Sequence, residues 1–376
     1  MIYFDNAATT GKKPDTVITA VSNTLKNLSA NPGRSGHKLS NMAAMEVYTA
    51  REKVSDFFGA SGAQNVVFTA NCTHSINFVI KGVLKKGEHI IISDLEHNAV
   101  VRPLVTSDID FSVANVSLTD DEVTVNNFEK LIKNNTKMIF CTGASNVIGK
   151  RLPIEKIGKM CKRRGLLFGV DAAQTAGVVP IDMKKMNIDF LCIAPHKGLY
   201  APMGLGILIA EKPIPFTLIQ GGTGTESINL IQPDSLPERF ESGTVNLPAI
   251  AGLSRGIDFV SKKGTDKILS HEFSVVSYIY DALLKNGNFK VYADDFSQNS
   301  YVPVLSFNYE GMTSGEVASY LDKKGIAVRA GLHCAPFAHR KIGTAENGTV
   351  RIAPSVYNSV NDATLLIRVL KSMKKS

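Results

Sequence analysis

The stretch Leu166-Leu-Phe-Gly-Val-Asp171-Ala-Ala-Gln174, with Phe190-Leu-Cys-Ile-Ala-Pro-His196-Lys197-Gly198-Leu-Tyr-Ala-Pro-Met-Gly204-Leu-Gly206 after it, decides the architecture. Its runs at 166–170 and 190–193 have the length and composition of strands buried on both faces. Each ends in chemistry. Asp171 directly follows the first run, and Lys197 lies just beyond the second. Similar apolar runs flank them at 66–68, 89–92, 137–141 and 206–209, with helical patterns at 73–84, 126–133 and 153–164 between. Upstream, Val17, Ile18, Val21, Leu25 and Leu28 recur at helical spacing, as do Ala44, Val47, Val54 and Phe58. Doubly apolar strands alternating with helices predict an α/β fold, a mostly parallel sheet with helices on both sides. Asp171 and Lys197 then emerge at the carboxyl edge of the sheet, where ligands bind.

After about residue 250 the texture changes. Long helical patterns at 249–262 and 266–286 precede strands at 303–308, 326–329 and 348–352, with helices at 314–324 and 361–372. This predicts a smaller α+β domain formed by 251–376 together with 1–14, beside a large ligand-binding domain of 15–250. There is no internal repeat and no flexible linker.

Composition narrows the function. The 376 residues include 42 basic and 34 acidic ones, and 44% are hydrophobic, which argues for a folded chain. No apolar run approaches the ~20 residues of a membrane span. The first residues lack the charged and apolar regions of a secretory signal, so a cytoplasmic protein is expected. Five scattered cysteines contain no C-x-x-C pair, which excludes a zinc ribbon and fits a reducing compartment. Basic doublets such as Lys12-Lys13, Lys184-Lys185 and Lys374-Lys375 are spread along the chain without tryptophan. A solvated surface explains them better than a nucleic-acid footprint. The segment Gly143-Ala-Ser-Asn-Val-Ile-Gly149-Lys150 has one residue too many for a phosphate loop, and Arg151 stands where a magnesium-binding hydroxyl belongs.

An aspartate and a lysine at neighbouring strand ends suit pyridoxal 5′-phosphate. The lysine forms a Schiff base with its aldehyde, and the aspartate keeps the ring nitrogen protonated. The plainer alternative is an ion pair capping two strands. Other strand ends carry compatible groups. Thr69-Ala-Asn71-Cys72-Thr73 leads into a helix, where free N–H groups and the Thr73 hydroxyl could hold a phosphate, or merely cap the helix. His97 follows the run at 89–92 and could stack on a ring, and Asn146 follows the run at 137–141.

The chain resembles the cysteine desulfurase/selenocysteine lyase branch of the class V, fold type I, pyridoxal-phosphate enzymes. The likeness runs nearly end to end: Tyr3-Phe-Asp-Asn-Ala-Ala-Thr-Thr10, Asn31-Pro-Gly-Arg34-Ser-Gly-His37, Glu96-His97, Ser145-Asn-Val-Ile-Gly149, Val170-Asp-Ala-Ala-Gln174 and His196-Lys-Gly-Leu-Tyr-Ala-Pro-Met-Gly204. It continues through Arg239-Phe-Glu-Ser-Gly-Thr244-Val-Asn246, Val328-Arg329-Ala-Gly-Leu-His-Cys334-Ala335 and Val350-Arg351-Ile-Ala-Pro-Ser-Val-Tyr-Asn358. The resemblance implies a large domain with a mostly parallel mixed sheet and a smaller α+β domain. It implies that L-cysteine, or L-selenocysteine, is converted to L-alanine with the sulfur passing to an enzyme cysteine as a persulfide.

In that reading Lys197 is the Schiff-base lysine and general base, Asp171 pairs with the pyridinium, Gln174 meets the ring hydroxyl and His97 stacks on the ring. Thr73, His196 and, across a homodimer interface, Thr244 hold the phosphate. Asn146 and Arg351 hold the substrate carboxylate, with Arg329 and His37 as further substrate-binding candidates. Cys334 is the sulfur-accepting nucleophile. The family often has Gly-Thr-Thr where this chain has Asn71-Cys72-Thr73, so Cys72 replaces a phosphate hydroxyl. Ala194 and Pro195 stand where many relatives place a serine. The short segment leading to Cys334 implies slow turnover unless an acceptor protein or a reductant removes the persulfide. Two rival readings are a transaminase or other carbon-bond enzyme on the same scaffold, with Cys334 merely packing, and a binding protein that has kept the fold.

Overall fold

The computed structural model describes residues 1–33 and 35–373; Arg34 of the N-terminal motif and the Lys374-Lys375 doublet lie outside the described residues. The chain enters through β1 (Ile2–Tyr3), α1 (Asp15–Asn27) and α2 (Lys38–Phe58). It continues through β2 (Val66–Thr69), α3 (Cys72–Val83), β3 (His89–Ser93), α4 (Asn98–Val105), β4 (Asp110–Ala114) and α5 (Asp121–Glu129). Then follow β5 (Thr136–Thr142), α6 (Ile154–Arg164), β6 (Leu167–Asp171), α7 (Met183–Met186), β7 (Phe190–Ile193) and β8 (Gly206–Ala210).

Strands β2 to β8 build one seven-stranded sheet in the order β2-β8-β7-β6-β5-β3-β4. Strands β3 to β7 are parallel, and β8 is antiparallel to both of its neighbours, β7 and β2. Two reversals restore the direction, so β2 points the same way as β7. The carboxyl ends of β2, β7, β6, β5 and β3 therefore open on one edge.

The side-chain period of two sorts these strands onto two faces. Ile91, Ile139, Phe168, Val170, Leu191 and Ile193 pack into one apolar core, while Ile90, Ile92, Met138, Phe140, Phe190 and Cys192 pack into another. Burial of each such side chain contributes about 1.5–3 kcal/mol, which is why near-continuous apolar runs were readable as central strands. The edge strand β4 is half exposed and carries Asp110 and Ser112, so it has no such run. Helix α5 begins earlier than the apolar spacing predicts because Asp120 caps it, accepting from the N–H groups of Glu122 and Val123.

The rest of the chain comprises α8 (Leu247–Lys263), α9 (Thr265–Leu284), β9 (Phe289–Val291), β10 (Leu305–Tyr309), α10 (Ser314–Lys323), β11 (Ile326–Ala327), β12 (Arg329–Gly331), α11 (Pro336–Lys341), β13 (Thr349–Ile352) and α12 (Val360–Lys371). An antiparallel sheet in the order β12-β13-β10-β9 packs against α9, α10 and α12. The expected single strand at 326–329 is two. Its first half pairs with β1 and its second with β13.

Leu247, Ile250, Leu253, Ile257 and Val260 of α8 lie in the core of the large sheet, and α8 packs on α1 and α2. Helix α8 thus packs with the large sheet, although it lies almost wholly beyond the break at 250 expected from the sequence. Amphipathic spacing records that α8 has an apolar face, and does not say which sheet that face covers. No helix among the described residues is long and apolar enough to cross a membrane.

Candidate active site

Asp171 ends β6, and its register partners are Thr142 of β5 and Cys192 of β7. Its carbonyl accepts from Gly143 N–H at 2.8 Å, so the turns after β5 and β6 are tied together. The carboxylate is buried, and Oδ1 accepts from Ala173 N–H at 2.9 Å. The Cys72 thiol donates weakly to the same oxygen at 3.7 Å. Burial, then the negative charge of Asp171, push the Cys72 thiol well above the ordinary range. Cys72 is therefore a neutral S–H donor, unsuited to nucleophilic work.

Lys197 follows β7. Burial lowers its amine to about 8, Asp171 and Cys72 act to raise it, and Arg351 and Arg329 act to lower it. The lysine thus senses groups from both units of the fold. Cys72 and Thr73 open α3, whose cap Asn71 accepts from His74 N–H at 3.0 Å. Among the described residues nothing accepts from the N–H groups of Cys72 and Thr73. Gly206 lets β8 approach this helix mouth, since a Cβ there would lie 2.2 Å from the Asn71 backbone.

His97 caps α4, its Nδ1 accepting from Ala99 N–H at 3.0 Å, so the neutral ring carries its proton on Nε2. Burial depresses His97, opposed by Asp171 and assisted by Lys197, Arg329 and Arg102. His196 is pushed down to about 4 by burial and by the amines of Lys197 and Lys13, and its buried Nδ1 has no partner among the described residues. Gln174 is buried and donates to the Ala7 carbonyl at 3.1 Å.

The small sheet presents two arginines. Arg329 of β12 lies directly opposite Arg351 of β13. Arg351 is 1% exposed; it donates to Asp5 Oδ1 at 2.9 Å and to the Asn146 carbonyl at 2.8 Å, and its Nε finds no partner among the described residues. Burial lowers Arg351 and Asp5 counteracts this. Asp5 did not emerge as a site residue from the sequence, although the motif containing it was legible.

Cys334 is exposed on the loop between β12 and α11. His333 and Cys334 take φ of 48° and 57°, consecutive left-handed conformations that cost roughly 1–2 kcal/mol each for non-glycine residues. Hydrogen bonds hold them. Asn146 Nδ2 donates to the His333 carbonyl at 2.7 Å, and Asn98 N–H donates to the Cys334 carbonyl at 2.7 Å. His333 Nε2 is anchored at Thr349. The exposed thiol thus hangs from the helix that His97 caps.

Two candidates lie apart from this cluster. His37 is exposed and caps α2, accepting from Ser40 N–H at 3.2 Å. Thr244 is exposed and accepts from Asn31 Nδ2 at 3.3 Å. Gathered at the sheet edge, then, are an acid and a lysine, an unsatisfied helix mouth, an arginine fork and a thiol.

A family model described as aminotransferase class-V matches residues 2–366, and the chain belongs to that family. Among its relatives, a protein named "Probable cysteine desulfurase" from Borreliella burgdorferi is 33% identical, the match covering 100% of this chain and 92% of that protein. Another so named, from Pyrococcus abyssi, is 34% identical over 100% of this chain and 95% of its own length. Among solved structures, the apo cysteine desulfurase from Thermococcus onnurineus NA1 superposes with a TM-score of 0.90 at 32% identity, covering 98% of this chain and 94% of that one.

Proposed function

We propose that the protein is a pyridoxal 5′-phosphate-dependent cysteine desulfurase, which converts L-cysteine to L-alanine and takes the sulfur onto Cys334. The observation that carries the reading is the Cys334 loop. A strained, exposed cysteine is bonded through its carbonyl to Asn98 at the start of α4, the residue next to His97, whose ring feels the charges of Asp171 and Lys197.

The residues present fit the cofactor. A buried carboxylate and a desolvated lysine are electrostatically coupled, which suits a ring nitrogen at one end and an aldehyde at the other. The free N–H groups of Cys72 and Thr73 and the unpartnered His196 Nδ1 suit a phosphate. We assign Gln174 to the ring hydroxyl, His97 to a stacking position, and Thr244 to a phosphate contact made to a second copy. The exposed apolar face of α2 (Leu39, Met42, Met45 and Tyr48), with the exposed Ile228, Leu230 and Ile231, supports a homodimer. Five free thiols support a reducing compartment, the cytoplasm.

When bound, pyridoxal 5′-phosphate supplies an electron sink for charge developed at the substrate Cα. The protein does the rest. Arg351, held by Asp5 and Asn146, presents its unpartnered Nε–H and an adjacent NH2 group to the substrate carboxylate, with Arg329 alongside. Lys197 Nζ, lowered to about 8, takes the Cα proton and returns one to the product. The buried carboxylate of Asp171 would pair with the ring nitrogen. Cys334 Sγ, as thiolate, attacks the substrate sulfur. An S–S bond forms as the Cβ–S bond breaks, leaving a persulfide on Cys334 and, after protonation, L-alanine.

L-Selenocysteine shares every recognised group with L-cysteine except the chalcogen, so it is a second substrate to assay. Alanine formation from L-cysteine should be lost in Cys334→Ala while the cofactor stays bound at Lys197. Undiminished alanine formation in that variant would instead indicate a carbon-bond reaction in which Cys334 only packs.

A further inference from the structure

The segment from Thr9 to Lys13 grips the peptide that carries the lysine. The His196 carbonyl accepts from Thr10 N–H at 3.2 Å, Thr10 Oγ1 at 3.0 Å, Thr9 Oγ1 at 3.2 Å and Lys13 Nζ at 2.8 Å. Thr10 Oγ1 also lies 3.3 Å from the Lys197 carbonyl, and Lys13 Nζ donates to Thr10 Oγ1. One hydroxyl has one proton and cannot serve both carbonyls at once. The ammonium of Lys13, with three donors, can hold the His196 carbonyl and the Thr10 oxygen together. With the His196 carbonyl held by Lys13, the Thr10 proton can turn to the Lys197 carbonyl without releasing it.

Lys13 is itself fixed. Pro14 follows it and opens α1, and burial lowers the Lys13 amine to about 8, as expected of a group turned inward. Lys12, its neighbour, is exposed and lies over the Tyr357 ring, 4.8 Å from its centroid. The two adjacent lysines therefore have different tasks.

We propose that Lys13, acting with Thr10, is a positioning residue: it locks the His196–Lys197 peptide and so sets the direction in which Lys197 Nζ is offered. The inference rests on Lys197 being the cofactor lysine. Misplacing a reacting group by about 1 Å can cost about 100-fold.

The test compares the full-length wild-type protein with Lys13→Met, Lys13→Arg and Lys12→Met. Each is freed of cofactor and mixed with pyridoxal 5′-phosphate. Capture at Lys197 is timed by borohydride reduction and peptide mass spectrometry, and kcat and KM for L-cysteine are measured on the reloaded proteins. Lys13→Met is expected to slow capture and lower kcat about 10- to 100-fold with KM within about 3-fold. Lys13→Arg should recover both, and Lys12→Met should match the wild type. If Lys13→Met did not fold, Thr10→Val read by the same measurements would decide.

Capture and kcat within about 2-fold of wild type in a folded Lys13→Met would overturn the proposal, as would a Lys13→Arg no better than Lys13→Met. A wild-type protein that captures nothing at Lys197 would overturn the underlying assignment, and the clamp with it.

Discussion

Arg351→Lys keeps a positive charge in the small sheet and removes the fork. In the structure the guanidinium donates to Asp5 and to the Asn146 carbonyl, which leaves Nε–H and part of the NH2 groups for substrate. A charge-assisted hydrogen bond contributes about 1.5–3 kcal/mol. A lysine can reach the substrate carboxylate with one such bond where arginine offers two, so one is lost. At 1.4 kcal/mol per factor of ten, kcat/KM for L-cysteine should fall about 10- to 150-fold, mostly through KM. Arg351→Met loses both bonds and should fall about 100- to 20,000-fold. It also leaves the Asp5 charge half-buried without its partner, so its thermal midpoint should drop. Initial rates of alanine formation over a wide cysteine range give kcat and KM separately. A folded, cofactor-loaded Arg351→Lys with KM within about 2-fold of wild type would refute a carboxylate clamp at this arginine.

Three other perturbations test separate parts of the site. The lysine amine reacts with an aldehyde only when neutral, and Lys197 lies at about 8, so capture of pyridoxal 5′-phosphate by the cofactor-free protein should rise about tenfold per pH unit below 8 and level off above it. A rate still climbing beyond pH 9 would mean that the amine is not desolvated. Asn146→Ala removes the bond to the His333 carbonyl, so sulfur transfer to Cys334 should slow while capture at Lys197 is unaffected. Equal losses in both would place Asn146 elsewhere in the chemistry. Burial raises Glu272 from 4.5 to about 8, so the folded state holds a proton that the unfolded chain releases. Stability should therefore fall as pH rises from about 4.5 to 8, and Glu272→Gln, which keeps an acceptor for Tyr200, should lessen the slope. The difference in thermal midpoint between variant and wild type should grow in the variant's favour from pH 5 to pH 8.5, and a constant difference would contradict the buried-carboxyl assignment.

What was legible in the sequence follows from which physical signals are local. Strands β3, β5, β6, β7 and β8 are buried on both faces, so their apolar runs stood out, and Asp171 and Lys197 were placed at strand ends by adjacency alone. Strand β4, half exposed at the sheet edge, and β9, three residues long, left no such trace. The reversal of β8 was not readable either, because a doubly buried strand looks the same in either direction. The association of Cys334 with His97 depends on a backbone bond between residues 98 and 334. Nothing in composition or period announces a contact of that span. The pairing of Asp5 with Arg351 is equally remote, and it depends on β1 lying beside β11, which brings the N-terminal segment to the end of β13. The carboxyl of Glu96 was seen only as a neighbour of His97. In the structure it is fully buried, accepting from Thr142 N–H at 2.9 Å, and burial pushes it up to about 8.

The central claim is that sulfur leaves L-cysteine onto one thiol of this chain. Cofactor-loaded protein exposed briefly to L-cysteine, quenched with an alkylating agent and digested, should show one added sulfur on the Cys334 peptide and none on those of Cys72, Cys141, Cys161 or Cys192. The adduct should disappear on adding a reductant, with L-alanine formed in equal amount to the sulfur bound. Alanine accumulating through many turnovers while the Cys334 peptide never carries sulfur would contradict the account.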